Sequence, residues 1–235
     1  MAIIVNAIIC TYQKREAMTE WEKAQNGFLY DANYDKEIVE ARKRCADLCY
    51  EFNNCRPLDI NKQRELLNAI FGSIKENPVI TAPFYCDYGF NIFIDKNFYT
   101  NHNVTILDGA KVTIGDNVFI APNCVLSTAG HAIDSEQRIS GLEIALPITI
   151  GDNVWIGANV SVLPGVTIGS NTIIGAGSVV NKNIPNGVIA VGNPCKVIRN
   201  ITDADKKKYP IFKNLSTKKG TNFMFVPFSI HFFIY

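Results

Sequence analysis

The side chain whose type and setting best suit it to chemistry is His131. A neutral imidazole accepts a proton near pH 7, so it can act as general base toward a hydroxyl that attacks a carbonyl carbon. The chain has three histidines, at 102, 131 and 231. A three-histidine zinc site would consume all of them, the one near the end included, so a histidine-held metal is not expected. The seven cysteines stand at 10, 45, 49, 55, 86, 124 and 195. They contain no CxxC pair and no Cys/His grouping at zinc spacing. They read as buried, reduced thiols of a cytoplasmic protein that requires no metal.

His131 stands out through the pattern it interrupts. After Pro83, aliphatic residues recur every six positions: Ile114, Ile120 and Leu126, then Ile150, Ile156, Val162, Ile168, Ile174 and Val180. One place later come Gly115, Ala121, Gly151, Gly157, Gly169 and Gly175. Three places later come Asn117, Asn123, Asn153, Asn159, Gly165, Asn171, Gly177 and Asn183, and four places later small or β-branched residues such as Val118, Cys124, Val154 and Thr172. The frame opened by Leu126 breaks this order, with Ala129 and Gly130 where a turn residue and a β-branched residue belong. Residues 129–147 therefore leave the regular stack as a polar loop with His131 at its root. Irregular segments on a rigid scaffold are where function concentrates. His102 and His231 lack that setting.

The six-residue register predicts the scaffold. Asn and Gly tolerate positive φ most cheaply, so a left-handed turn is expected every six residues. The residues between turns point inward, and the short strands stack into a solenoid whose coils satisfy one another's backbone hydrogen bonds. A β-sandwich would repeat every eight to twelve residues and fits poorly. Upstream, Ile38, Ala41, Cys45, Leu48, Cys49 and Phe52 recur at helical spacing, as do Leu66, Leu67, Ile70 and Ile74 behind a cap at Asp59. The expected organisation is mainly β. Residues 1–17 form an extension outside the fold, 18–80 a small helical segment, 81–200 a parallel β-helix, and 201–235 a tail. The opening apolar stretch lacks the basic region and cleavage site of a signal peptide, and the apolar end is too short to span a membrane.

Composition excludes some classes. With 47% hydrophobic and 19% charged residues the 235-residue chain can bury a core, and a net charge of +1 gives no electrostatic case for nucleic acid or a membrane surface.

Several segments together resemble the maltose/galactoside O-acetyltransferase family of hexapeptide-repeat acyltransferases. They are Leu29-Tyr-Asp31, Asp87-Tyr-Gly-Phe-Asn-Ile92, Asn97-Phe-Tyr-Thr-Asn101, Ile148-Thr-Ile-Gly-Asp-Asn-Val-Trp-Ile-Gly157, Val162-Leu-Pro-Gly-Val-Thr-Ile-Gly169, Ile174-Gly-Ala-Gly-Ser178 and Val191-Gly-Asn-Pro-Cys-Lys-Val-Ile198. The likeness runs from about residue 20 to 205. It implies a left-handed β-helix, a homotrimer with active sites between subunits, and direct acetyl transfer from acetyl-CoA to a sugar hydroxyl. His131 matches the family's catalytic histidine. The resemblance implies acceptor contacts at Asp31, Asp87, Asn101 and Glu143, where Asp87 and Asn101 also suit plain turn chemistry. It implies acetyl-CoA contacts at Ala158, Ala176, Asn181, Lys182, Lys196 and Arg199, with the Ala158 N–H as oxyanion donor.

The match is not uniform. Gly109 stands where the galactoside branch can carry an acidic contact, Ala158 where it carries serine, and Asn181 where it carries threonine, whereas Asp87 and Glu143 are maltose-like. Two alternatives to a sugar acetyltransferase therefore stay open. One is the same scaffold acting on a xenobiotic or serine; the other is a non-catalytic β-solenoid.

Overall fold

The computed structural model describes residues 18–209. The expectations for residues 1–17, for His231 and for the apolar end of the chain lie outside the described residues. The chain divides into two compact units, Met1–Ile201 and Thr202–Tyr235. Of the second, the described part holds a 3-10 turn, Asp203–Lys207, capped where Thr202 N–H donates to Asp205 Oδ2 at 2.9 Å.

The first unit opens with helix α1 (Glu20–Gln25), strand β1 (Tyr30–Asp31), α2 (Lys36–Asn54) and α3 (Ile60–Ile70). Each helix starts where a short polar side chain accepts an otherwise orphaned N–H: Thr19, Asp35 and Asp59 respectively. The apolar stripe of α2 buries Ile38, Cys45, Cys49 and Phe52, and that of α3 buries Leu66, Leu67 and Ile70.

The coils follow at once. The first holds β2 (Ser73–Ile74), β3 (Val79–Ile80) and β4 (Phe84–Cys86), and the second β5 (Ile92–Ile94), β6 (Tyr99–Thr100) and β7 (Val104–Leu107). The third holds β8 (Val112–Ile114), β9 (Phe119–Ile120) and β10 (Val125–Ser127). An excursion of β11 (Ala129–His131), α4 (Ser135–Ile139) and β12 (Leu142–Ala145) intervenes. The fourth coil holds β13 (Ile148–Ile150), β14 (Trp155–Ile156) and β15 (Ser161–Val162), and the fifth β16 (Thr167–Ile168), β17 (Ile173–Ile174) and β18 (Val179–Val180). The last is a bridge at Ile184, then β19 (Val188–Val191), on which β20 (Lys196–Asn200) folds back antiparallel.

Two expectations are corrected. The helical segment is shorter than 18–80, because β2 and β3 already pair in parallel with β5 and β6. Ile74, taken as the end of a helical stripe, instead begins a coil in six-residue register with Ile80. The excursion is also not an irregular loop but a two-stranded hairpin carrying a helical turn, because Leu142–Ala145 pairs on both edges.

Successive strands fall on three parallel sheets. The first face carries β2, β5, β8, β13 and β16; the second β3, β6, β9, β14, β17 and β19; the third β4, β7, β10, β15 and β18. The interior is a column of fully buried Ile94, Ile114, Ile150 and Ile168 and their counterparts on the other faces. At the corner between the first and second faces, Asn97, Asn117, Asn153 and Asn171 all hold φ of 56–57°. Their amides form a ladder in which each Nδ2 donates to the next Oδ1 at 2.9–3.1 Å. The glycines two places before Asn117, Asn153 and Asn171 are required by proximity: a Cβ on Gly151 would lie 2.7 Å from Ser170 N. Among the described residues no helix is long and apolar enough to cross a membrane.

Candidate active site

The excursion departs from the corner between the third and first faces, where its two ends are pinned. The buried Thr128 hydroxyl donates to Leu107 O at 2.7 Å and accepts Ala110 N–H at 2.9 Å, and Leu146 N–H donates to Thr128 O at 2.8 Å. Between these pins β11 and β12 pair antiparallel with His131 opposite Glu143. β1 adds to the other edge of β12, placing Tyr30 opposite Glu143. The helical segment thus completes a three-stranded sheet whose central carboxylate is Glu143.

His131 Nδ1 lies 3.8 Å from Glu143 Oε1. That is too long for a hydrogen bond but short enough for the carboxylate charge to orient the ring. The imidazole is 62% exposed and the carboxylate 15%. Nε2 is then the nitrogen available to an incoming hydroxyl. Around Glu143, Tyr30 Oη donates to Oε2 and Asn33 Nδ2 to Oε1, each at 3.5 Å.

Asp87 follows β4 at the same corner. Burial pushes its carboxyl pKa up; the Arg42 guanidinium opposes that rise and Glu143 adds to it. Arg42 is fixed by donating to Tyr88 Oη at 2.7 Å and Ala32 O at 2.9 Å. The Asp87 turn hangs on Asp108, which accepts the N–H groups of Asp87, Tyr88 and Asn91 at 3.1, 2.9 and 3.3 Å. Asp108 is fully buried, and loss of hydration raises its carboxyl pKa to about 7 against the opposing N–H contacts. Asp31 uses Oδ1 to accept the N–H groups of Asn33 and Tyr34, so one of its oxygens shapes the chain entering α2. Gly109 leaves room for the Tyr30 hydroxyl, since a Cβ there would lie 2.9 Å from Tyr30 Oη.

A single chain therefore brings His131, Glu143, Asp87 and Asp31 to one ridge, with exposed Asn181 and Lys182 two coils further along it. It does not bring Asn101, Ala158 or Ala176 there. These three follow second-face strands and stack on the next corner, on the other side of the third face. One six-residue step of the coil, the third face, separates the two ridges, as from Ala176 to Lys182. On that second ridge Ala158 O accepts Gly177 N–H at 2.8 Å, while the Ala158 N–H has no acceptor among the described residues. Lys196 and Arg199 lie on β20 beside the last coil.

Sequence reasoning missed Tyr30, Arg42, Tyr88, Asp108 and Thr128. Two of them left a signal. Arg42 interrupts the apolar stripe between Ile38 and Cys45, and Asp108 keeps the inward phase of Val104 and Ile106. Three of the free cysteines also converge, Cys45, Cys49 and Cys86, although their spacing matches no metal motif. Two are one helical turn apart and the third comes from a distant strand, an arrangement that pairwise motifs do not register.

Comparison with known proteins agrees with this architecture. Residues 23–75 match the model described as maltose acetyltransferase hexapeptide capping motif, and residues 147–182 match bacterial transferase hexapeptide (six repeats). A putative acetyltransferase of Saccharomyces cerevisiae is 58% identical over 179 residues, covering 76% of this chain and 91% of that protein. The galactoside O-acetyltransferase of Escherichia coli K12 is 51% identical over 172 residues, covering 73% and 85%. A solved galactoside acetyltransferase in complex with coenzyme A superposes with a TM-score of 0.78 at 46% identity, covering 86% of this chain and all of that one.

Proposed function

This chain belongs to the maltose/galactoside O-acetyltransferase family and is an acetyl-CoA-dependent acetyltransferase, and we propose that it acetylates a sugar hydroxyl with His131 as general base. The observation that carries the proposal is the facing pair of an outward imidazole and a half-buried carboxylate, His131 and Glu143, at the root of the excursion. His131 Nε2 takes the acceptor hydroxyl proton as its oxygen bonds to the thioester carbonyl carbon. Glu143 stabilises the imidazolium so formed, and the oxyanion receives the unpartnered Ala158 N–H. The C–S bond then breaks, the imidazolium proton passes to the coenzyme A thiolate, and acetyl sugar leaves. General-base assistance of this kind contributes roughly 10²–10⁴-fold.

Asp31, Asp87 and Glu143 offer carboxylate oxygens to adjacent sugar hydroxyls. Asn101 joins them from the second ridge, and Ala158 and Ala176 let the pantetheine arm lie against the coil. Asn181, Lys182, Lys196 and Arg199 lie in or beside the last two coils. Coils stack about 4.8 Å apart, so these residues stand where the phosphate end of an extended donor would reach, with the bases meeting its charge.

The split between ridges supports the homotrimer. A site that uses both must set His131's ridge of one copy against Ala158's ridge of the next. Such a head-to-tail contact makes a closed trimer when each copy is turned a third of a circle from the last. Reduced cysteines and acetyl-CoA as donor fit a cytoplasmic setting.

The test is release of coenzyme A thiol from acetyl-CoA by the purified protein, with maltose, glucose or a galactoside against serine and aromatic xenobiotics. Turnover confined to the non-sugars would overturn the sugar assignment while leaving the acetyltransferase standing.

A further inference from the structure

Where α2 packs on the first coil, three thiols meet that the acetyl-transfer chemistry does not use. Cys45 and Cys49 lie one turn apart on the buried face of α2, 2% and 3% exposed, and Cys86 ends β4 beneath them. The Sγ atoms of Cys45 and Cys86 are 3.4 Å apart, those of Cys49 and Cys86 3.8 Å, and all three lie within 4.8 Å of one another. Cys124, buried elsewhere, behaves differently: its thiol donates to Gly157 O at 3.1 Å, as an isolated core cysteine does.

We propose that Cys45, Cys49 and Cys86 form a binding site for one thiophilic, three-coordinate cation, with Cu(I) as the representative ion. Metal–sulfur bonds of about 2.3 Å around a three-coordinate centre place the sulfurs about 4.0 Å apart. The two sides that meet at Cys86, 3.4 and 3.8 Å, fall slightly short of that value and the third is at most 4.8 Å, so small side-chain adjustments accommodate the ion. An all-sulfur donor set selects soft ions and disfavours magnesium or calcium. No fourth His, Cys, Asp or Glu belongs to the cluster among the described residues, which disfavours a closed tetrahedral zinc site and suits Cu(I). On binding, Cu–S bonds form, the ligating thiols release their protons to solvent, and copper does not change oxidation state. Helix and coil are thereby joined one residue before Asp87 and three residues after Arg42.

The test uses the full-length, reduced protein under anaerobic conditions, titrated with Cu(I) held by a chromogenic bicinchoninate-type chelator. The expected result is transfer of one Cu(I) per chain, with X-ray absorption giving three sulfur neighbours at about 2.3 Å and a higher melting temperature. Cys49→Ala abolishes that uptake, whereas Cys124→Ala and the double change Cys10→Ser, Cys55→Ser retain it. Cys86→Ser, with its circular dichroism compared to the parent, serves if Cys49→Ala does not fold. Copper remaining on the chelator, uptake unchanged in Cys49→Ala, or nitrogen and oxygen neighbours in the spectrum would each overturn the proposal.

Discussion

Asp108→Asn tests how the buried framework of the site is held. In the folded protein the Asp108 carboxyl keeps its proton up to about 7, against an ordinary value of 3.8. The native state therefore binds this proton more tightly than the unfolded chain does. Stability contributed by Asp108 is complete in acid and is lost as pH rises from about 4 to about 7. A separation of about three pH units corresponds to on the order of 4 kcal/mol as a ceiling. The amide that replaces the carboxyl is neutral at every pH. Its oxygen still accepts from Asp87 and Tyr88, but its nitrogen faces the Asn91 N–H, a lost hydrogen bond costing about 1 kcal/mol. The variant is thus expected to be less stable than the parent near pH 4.5 and more stable near pH 8, by on the order of 1–3 kcal/mol at each end. Urea unfolding followed by circular dichroism, at one protein concentration across pH 4.5–8.5, measures the difference and cancels the other titrating groups. Parallel stability curves for the two proteins would refute the reasoning.

Three further outcomes follow from the site geometry. Glu143→Gln removes the charge facing His131 Nδ1 and should lower kcat about tenfold, equivalent to about 1.4 kcal/mol, with a smaller change in the KM for acetyl-CoA; steady-state kinetics measures both. Gly109→Ala pushes on Tyr30 Oη at 2.9 Å and should raise the acceptor KM severalfold while leaving coenzyme A affinity, read by calorimetry, within about twofold. Co-assembly of His131→Ala subunits with Ala158→Trp subunits should recover turnover that neither variant shows alone, because some interfaces then pair an intact His131 with an intact Ala158.

Much of the fold was legible because each coil repeats a steric requirement. A turn needing positive φ selects Asn or Gly, and a narrow interior selects a branched aliphatic residue. Those columns appear directly at Asn117, Asn153 and Ile150. The helix caps were readable for a similar local reason. The first coil was not, since Ile74 fits a helical stripe and a six-residue register equally well and only pairing with Ile94 decides between them. His131 was visible as the root of the single large break. Its partners were harder to see, because Tyr30, Arg42 and Asp108 reach it through pairings between segments distant in sequence that no local spacing encodes. The split into two ridges was latent in the numbering: Ala158 and Ala176 are 18 residues apart, one full coil, whereas His131 follows a strand of a different face.

Single-turnover acetyl transfer by His131→Ala tests most directly whether His131 removes the acceptor proton. The expected result is a loss of at least about 10²-fold in the transfer rate, with the parent's assembly state and coenzyme A binding intact by sedimentation and calorimetry. Transfer within a few-fold of the parent by an intact His131→Ala assembly would contradict it.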